Sequence, residues 1–450
     1  AAQRTIPTLQ ITNVQPSLPA DDVDDAMNEA RRMLSGPVTL SRDDPPASVT
    51  FSLEDLAGAF RSQVVAASTP RFELSFDIAA VTAKLDPLRA ELEQPPEDAR
   101  LVVNEDDTVS VVPGRAGTLI DPDETALALR TASLDPSRQA TLPLEKGAEP
   151  ELTTEEVEAY GVEHLVSRFT TYHACCQDRV TNIHLMADLV DGTLVMPGET
   201  LSLNDLVGER TEERGFKPAG TIIRGKLTDT VGGGVSQFAT TFYNAVFWGG
   251  YEDVKHSPHS YYFSRYPEGI EATISWPAPN LEFRNNRNSA ILIGTSYTGT
   301  SITVSFYGEN GGHMLVGEQS GGITRVWVQS EGDGSEYTVA GAVSGRFAFT
   351  EPAVEYTPND ELEPDTENVI ERGRNGWSVS VTRTITYADG SQDIQRWPVR
   401  YRAQPREVEV HSCMIPEGEP GYTGEDCPVE ETTTTSPTTT TETTTTTAAG

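Results

Sequence analysis

Hydrophobic and polar positions change period along the N-terminal third of the chain, which predicts a mixture of strands and helices. Residues 37–41 alternate as a strand does, and residues 48–60 contain a strand that leads into a helix with Ser52 at its N-cap. The alternating runs 100–103 and 109–112 flank a polar turn, which is typical of a β-hairpin. Further helices are predicted over residues 78–92 and 123–134. We therefore expect residues 37–153 to form an α+β domain.

A sequence repeat brackets this region. Residues 15–27 and 149–161 share a Pro, a polar turn and a helix start that is rich in acidic residues, which suits the positive end of a helix dipole. Each copy follows a short strand-like segment, at residues 8–12 and 140–144. The repeat predicts two copies of one module, of which residues 1–36 hold the C-terminal part of the first.

The remaining chain is expected to contain three regions. Residues 154–310 form a central α+β domain, and residues 311–410 are Gly-rich and alternate strongly, with a hairpin turn at Asp389 and Gly390. Residues 411–450 contain a cysteine loop and a Thr-rich tail that cannot bury a core and is predicted to be disordered. The predicted fold class is thus α+β multidomain, with an all-β module near the C-terminus.

The central domain has a glycine run followed by a helical pattern, in residues 230–250. Apolar residues recur at helical spacing, and Gly249 with Gly250 forms a stop signal. Polar residues at positions i, i+3, i+4 and i+7 form an adjoining face: Gln237, Thr240, Thr241 and Asn244. This helix is therefore expected to have one apolar face and one polar face.

The glycine run consists of Gly232, Gly233 and Gly234. Glycines permit backbone angles that side chains forbid, and they can expose the N–H groups of a helix start, where the dipole is positive. Such a bend is a candidate pocket for a carboxylate or another anion. We expect the polar helix face to donate hydrogen bonds to the backbone of a bound peptide.

At these residues the chain resembles the VanW family. The likeness extends over residues 169–308 and includes the motifs "GGGVSQFATTFYNA" and "HSPHSYYFSRYPEGIEATISW". The flanking repeats resemble a peptidoglycan-binding domain that often precedes VanW domains. The β-rich module resembles a small extracellular domain named for its five glycines. The resemblance implies an extracytoplasmic envelope location and a link to peptidoglycan, but it implies no particular reaction.

Several residues match the positions of the family motifs, namely Asn204, Arg210, Thr211 and His259. Arg210 is expected either to hold a carboxylate with two hydrogen bonds or to pair with a neighbouring glutamate. Many family members have a cysteine where this chain has Ser236. A catalytic alternative uses Ser236 as nucleophile and His259 as base, because the helix dipole alone does not generate an alkoxide.

The charge of the chain narrows the range of partners. The formal net charge is −35, from 33 basic and 68 acidic residues, which excludes nucleic acid as a main ligand. No apolar run approaches the ~20 residues of a membrane helix, so we expect membrane contact only through a segment outside this sequence.

The four cysteines form two local sets. Cys413 and Cys427 can close a short loop without strain, and we predict a disulfide between them. Cys175 and Cys176 are adjacent, so a bond between them would be strained, and their pairing stays open. Together with His173 and His184 they offer zinc-ligand types, but at an unfamiliar spacing, so neither a metal nor any other cofactor is predicted.

The sequence therefore predicts an envelope protein that binds peptidoglycan, at its peptide stems, through the central domain and the N-terminal repeats. A peptidoglycan hydrolase or transpeptidase is the first alternative, and it requires Ser236 within hydrogen-bonding reach of a base. A structural scaffold is the second, and it requires Gln237 and Asn244 to be buried and satisfied internally.

Overall fold

The computed structural model describes residues 20–65, 71–223 and 226–427. The described chain forms two compact units that divide after Gly161, and each is treated separately below. The predicted strand at residues 8–12 and the predicted disordered tail at 431–447 lie outside the described residues. None of the described helices is long and apolar enough to cross a membrane.

The first unit consists of short helices and small sheets. Its helices are α1 Ala20–Met33, α2 Leu53–Ala59, α3 Ile78–Leu85, α4 Arg89–Leu92, α5 Pro122–Leu134 and α6 Thr154–Glu158. Its strands are β1 Val38–Asp43, β2 Pro46–Phe51, β3 Phe60–Val65, β4 Arg71–Phe76, β5 Arg100–Val103, β6 Val109–Val112, β7 Thr118–Ile120, β8 Gln139–Thr141 and β9 Leu144–Lys146. Strand β1 lies between β2, antiparallel to it, and β8, parallel to it.

Local sequence signals determine several of these elements. Ser52 caps α2 and forms a reciprocal capping box with Asp55, as the Ser-x-x-Asp spacing favours. Asp121 caps α5 in the same way, by accepting from the backbone N–H of Glu124. Strands β5 and β6 pair around the predicted polar turn. The hairpin and the helices at residues 53–59 and 122–134 are therefore confirmed, whereas the helix predicted over residues 78–92 is interrupted by a 3-10 turn at Asp86–Leu88, where Pro87 lies.

Helix α1 belongs to the core of this unit. Met33 is fully buried in the same cluster as Leu129 of α5, and Glu29 forms an ion pair of 2.7 Å with Arg130. Arg138 donates to the carbonyl oxygens of Arg32, at 3.0 Å, and of Met33, so it holds the C-terminal end of the helix. The proposed division after residue 36 thus crosses a continuous core. Helix α1, which the sequence repeat assigned to a first copy of the module, packs within the core of the first unit.

The second unit contains the glycine run and the β-rich region. Its helices are α7 Asp178–Val190, α8 Leu203–Val207 and α9 Ser236–Trp248. Its strands are β10 His164–Tyr172, β11 Leu194–Val195, β12 Thr200–Ser202, β13 Pro218–Ile223, β14 Lys226–Val231, β15 Glu252–Lys255, β16 Glu282–Arg284, β17 Ile291–Thr298, β18 Ser301–Gly308, β19 Met314–Ser320, β20 Ile323–Ser330, β21 Tyr337–Val343, β22 Phe347–Thr350, β23 Val354–Pro358, β24 Glu367–Arg374, β25 Gly376–Tyr387, β26 Gln392–Tyr401 and β27 Gln404–Val410.

A six-stranded sheet supports α9. Its strand order is β11-β17-β18-β10-β19-β20, with β10 parallel to β19 and antiparallel to β18. Phe238 and Phe242 of α9 are fully buried against this sheet in a cluster that includes Phe306 of β18. The predicted boundary after residue 310 falls inside this sheet, because β19 and β20 complete it.

The β-rich region packs on the other side of α9. Val379, Val381 and Tyr401 are buried in the same cluster as Phe247 and Trp248. The long hairpin of β25 and β26 turns at the predicted Asp-Gly pair. The expected α+β multidomain class with a C-terminal all-β region is confirmed. Beyond β27, a disulfide joins Cys413 to Cys427, with their Cα atoms 5.0 Å apart.

Candidate functional site

The glycine bend lies between the β13–β14 hairpin and the first turn of α9. Gly232 and Gly234 have φ angles of +82° and +91°, which side chains disfavour. A Cβ on Gly233 would lie 1.9 Å from the carbonyl oxygen of Ala219, so the chain there passes directly against another backbone segment. The helix begins at Ser236 without a side-chain cap. The sequence thus folds into the bend that the glycines predicted.

Most main-chain donors of the bend are already paired. Gly232 donates to Lys217 at 3.0 Å and Gly233 donates to Thr230 at 3.0 Å, both to carbonyl oxygens. Val235 and Gln237 donate to the carbonyls of Gly232 and Gly234. The expectation that exposed N–H groups of the bend bind an anion is wrong for these four donors, because the tight turn satisfies them internally.

The polar face of α9 is fully buried. Gln237, Thr240, Thr241 and Asn244 each have no exposed surface. Gln237 accepts a hydrogen bond from Arg179 at 2.8 Å and donates to the backbone oxygen of Tyr172 at 3.0 Å. Each of the four side chains makes a hydrogen bond inside the domain, although Asn244 Oδ1 has no partner among the described residues. The expectation that they contact a ligand is therefore corrected.

Two of these side chains form hydrogen bonds with residues 270–274, the segment that follows His259 along the chain. Thr240 donates to the carbonyl of Ala272 at 2.9 Å, and Asn244 donates to that of Ile270 at 2.9 Å. Residues 270–274 lie outside any strand and need partners for their backbone polar groups. The polar helix face supplies these partners, while Thr241 bonds back to its own helix at the carbonyl of Gln237.

A cavity of about 1020 Å³ opens beside the bend. Five of the predicted site residues line it: Gly232, Gly234, Ser236, His259 and Arg210. The sequence did not single out the other main contributors to its wall, which are Arg265, Tyr266, Thr273 and Trp276. All four lie after His259 in the motif of residues 256–276 that resembles the VanW family. Their place in this motif was the only feature of the sequence that could have identified them.

Arg210 is the most unusual group of the cavity wall. Its side chain is 7% exposed, and Nη1 donates to Asn204 Oδ1 at 2.7 Å. Neither Nε nor Nη2 has a hydrogen-bond partner among the described residues. Burial, with a smaller contribution from Arg214, lowers the pKa of Arg210 to about 10, so it remains cationic at neutral pH. The wall therefore holds a buried positive charge with two free donor groups.

Asn204 positions this arginine and does not face the cavity. It is 2% exposed and donates to the carbonyls of Ser275 at 2.8 Å and Pro277 at 3.0 Å. Thr211 is not part of the cavity wall, and its carbonyl accepts from Arg214 and Phe216. The expectation that Asn204 and Thr211 bind a ligand directly is therefore corrected, because their polar groups hold neighbouring loops.

Ser236 and His259 line the same cavity but have different partners. Ser236 Oγ lies 3.1 Å from Thr273 Oγ1 and accepts from the backbone N–H of Ile274 at 3.3 Å. His259 Nδ1 lies 2.6 Å from Glu271 Oε2, and Glu271 is 1% exposed. Ser236 and His259 form no hydrogen bond with each other among the contacts of the described residues. Glu271 is a site residue that sequence reasoning missed.

Two clusters contain possible metal ligands. The rings of His173 and His184 lie 6.2 Å apart. A separate group places one ligand atom each from Glu163, His164 and Glu309 within 4.8 Å of one another, at the ends of β10 and β18. Neither cluster borders the cavity.

Comparison with known proteins accords with these two units. Residues 178–307 match the family described as "VanW like protein", and residues 51–140 match the one described as "Putative peptidoglycan binding domain". An uncharacterised protein of Bacillus subtilis, YoaR, is 34% identical over 158 residues, which is 35% of this chain and 52% of that protein. The vancomycin B-type resistance protein VanW of Enterococcus faecalis is 27% identical over 36% of this chain and 60% of its own length.

The chain thus spans little more than half the length of these relatives. Two solved structures each cover 17% of the chain. They are HP0197-G5, at 17% identity, 99% of its own length and a TM-score of 0.10, and an IgA1 protease G5 domain, at 20% identity, 89% of its own length and a TM-score of 0.12. The chain contains a VanW-like domain, and a region that matches the family described as "Putative peptidoglycan binding domain" precedes it along the sequence.

Proposed function

We propose that this protein binds peptidoglycan outside the cytoplasm and that the cavity beside the glycine bend holds a carboxylate of a peptide stem. The two domain matches support a cell-wall-associated protein. In this proposal the N-terminal unit contributes a second contact with the wall. A segment outside the present sequence would anchor the protein to the membrane.

One observation carries the proposal, namely that Nε and Nη2 of the buried Arg210 guanidinium have no hydrogen-bond partner among the described residues, although Nη1 donates to Asn204. A buried cation without a counter-ion is unfavourable, and the penalty falls when an anion reaches it. A planar guanidinium with two neighbouring free donors matches the two oxygens of a carboxylate. Peptide stems end in carboxylates, so they offer the complementary group.

The electrostatics of the cavity support this ligand within a strongly acidic protein. Arg210 and Arg265 both line the cavity, and among the described residues that line it Glu209 is the one acidic side chain. Arg265 also lies 4.7 Å from the ring centre of Phe263, which orients its charge. The cavity is thus a local basic site. The rest of the chain, whose net charge is −35 overall, repels anionic polymers.

A pull-down on purified peptidoglycan tests this proposal, with Arg210→Gln compared with Arg214→Gln. Arg214 is exposed, so its substitution removes the same charge outside the cavity. Gln at position 210 retains a donor for Asn204. We expect Arg210→Gln to weaken binding about 10- to 100-fold, the equivalent of losing a charge-assisted hydrogen bond. The Arg214 variant should bind as the unmodified protein does.

A second arm compares intact peptidoglycan with glycan strands from which an amidase has removed the stems. Binding should require the stems. Equal retention of both arginine variants on intact peptidoglycan would remove the cavity from the proposal. Equal binding to the stripped glycan would leave a wall-binding protein but exclude the stem carboxylate as its ligand.

A peptidoglycan-modifying enzyme is the alternative function, and the His259–Glu271 pair favours it. A buried carboxylate that orients a histidine beside a hydroxyl at a helix start is the arrangement of a nucleophile, a base and an orienting group. Ser236 would have to exchange its Thr273 contact for His259 when substrate binds. Incubation with soluble muropeptides should then give new products that both Ser236→Ala and Glu271→Gln abolish. An unchanged muropeptide profile with the unmodified protein would exclude this alternative.

The scaffold alternative requires Gln237 and Asn244 to be buried and satisfied internally; both are buried, but Asn244 Oδ1 has no hydrogen-bond partner among the described residues. It provides no reason for a buried arginine that lines a cavity and has no partner for Nε and Nη2 among the described residues. The peptidoglycan-binding proposal accounts for both features, because the buried helix face builds the wall while Arg210 supplies the charge.

A further inference from the structure

Cys175 and Cys176 lie in the short loop between β10 and α7. Both side chains are exposed, and neither takes part in the Cys413–Cys427 disulfide. Their sulfur atoms lie 2.6 Å apart. Two adjacent thiols therefore face each other at the surface of the second unit.

The backbone of this loop brings the two sulfurs together. Cys176 has a φ of +68°, in the left-handed region that side chains other than glycine seldom adopt. Such a conformation is unfavourable for a residue with a side chain and persists where the surrounding structure imposes it. Neighbouring side chains of a regular strand point to opposite faces, and this loop departs from strand geometry where the two sulfurs meet.

We propose that Cys175 and Cys176 are a redox-active pair that forms a vicinal disulfide. In this reaction one cysteine thiolate attacks a small-molecule disulfide, such as oxidised glutathione, and releases one molecule of reduced thiol. The neighbouring thiolate then attacks the mixed disulfide and releases a second. The two protein thiols are oxidised by two electrons, the small disulfide is reduced to two thiols, and the two protons balance the leaving thiolates.

The position of the pair links its redox state to the glycine bend. Arg179 follows in the first turn of α7, and its Nη2 donates to Gln237 at 2.8 Å. A Cβ on Gly234 would lie 2.8 Å from Cβ of Arg179, so the helix start packs directly against the bend. Closing the disulfide ties down the loop from which this turn begins. The inference does not depend on the proposed ligand of the cavity.

The full chain already contains a suitable internal control. Cleavage after Arg168 and Arg179 gives one peptide, residues 169–179, with both cysteines of the pair. Cleavage after Arg406 gives residues 407–450, which contain Cys413 and Cys427. The protein is equilibrated in glutathione buffers from fully reduced to fully oxidised, trapped with an alkylating agent, digested and analysed by mass spectrometry.

We expect peptide 169–179 to carry two alkyl groups in reduced buffer and none in oxidised buffer, with a mass lower by two hydrogen atoms. Adjacent cysteines have Cα atoms ~3.8 Å apart, below the usual disulfide range of ~4.4–6.8 Å, so their bond should reduce more readily than Cys413–Cys427. In the oxidised buffer a Cys175→Ser variant should give a stable glutathione adduct on Cys176.

Three results would overturn the inference. They are two alkyl groups on this peptide after full oxidation, two glutathione adducts on it, or its recovery as a disulfide-linked dimer. Phenylarsine oxide, which bridges neighbouring thiols, provides an independent check. It should protect the reduced protein from alkylation at both cysteines but should leave Cys176 of the Cys175→Ser variant reactive.

Discussion

His259 Nδ1 lies 2.6 Å from Oε2 of Glu271, a carboxylate that is 1% exposed. Glu271 also faces Tyr401 at the end of β26, where burial, and next the charge of Glu271, raise the pKa of that phenol. Tyr401 in turn accepts a hydrogen bond from the backbone N–H of Gly269 at 2.8 Å. The β-rich region thus supports the wall of the cavity through one tyrosine.

We predict that Tyr401→Phe will lower the free energy of unfolding by about 1–3 kcal/mol, because it leaves a buried N–H without an acceptor. Urea unfolding followed by tryptophan fluorescence measures this change. Tyr422→Phe serves as a control, because Tyr422 is 48% exposed and should leave stability unchanged. Equal stability of the two variants would mean that the contact at Gly269 contributes nothing.

Gly233 provides a direct test of the bend. A Cβ there would meet the backbone oxygen of Ala219 at 1.9 Å, and backbone cannot rotate away as a side chain can. Gly233→Ala should therefore destabilise the second unit by about 1–3 kcal/mol or more, as overpacking does. Gly299→Ala is the matched control, since nothing lies within 4 Å of its Cβ position. Differential scanning calorimetry should give a lower Tm for the first variant alone.

The burial of Gln237 predicts a structural role. Gln237→Ala leaves Arg179 Nη2 without its acceptor, which should reduce the free energy of unfolding by about 1–3 kcal/mol. Asn288→Ala is a control of similar chemistry at an exposed position. Chemical denaturation measures both. A Gln237→Ala variant with unchanged stability but weaker peptidoglycan binding would restore the original ligand-contact hypothesis.

His173 predicts a pH dependence of stability. Burial, with smaller contributions from Arg179 and His184, lowers the pKa of His173 below its usual value. The unfolded chain therefore binds a proton at a higher pH than the folded chain does, so this residue makes stability fall as the pH drops below the usual histidine pKa of about 6.5.

We expect His173→Gln to reduce this loss of stability. The measurement is the difference in unfolding free energy between about pH 7.5 and about pH 5.5, for the variant and the unmodified protein, across the range where an ordinary histidine titrates. An identical pH dependence of the two proteins would show that His173 does not remain neutral on folding.

Much of the fold is determined locally and was predictable. The capping box at Ser52, the hairpin of β5 and β6, and the Asp-Gly turn between β25 and β26 each depend on residues that are close in sequence. The glycine run before α9 predicted a bend for the same reason, since positive φ angles need residues without a Cβ.

Tertiary structure alone decided which polar groups face solvent. The polar face of α9 would have the same sequence pattern if it lined a pocket as it has where it packs under residues 270–274. Its hydrogen-bond partners come from segments distant in sequence, such as Tyr172 and Ile270. Whether Nε and Nη2 of Arg210 find partners depends on every chain segment that surrounds them. Sequence thus determined the helix, the bend and the family likeness. Packing decided that the polar helix face is buried and that Nε and Nη2 of Arg210 lack partners among the described residues, because burial and hydrogen-bond partners are properties of the whole fold.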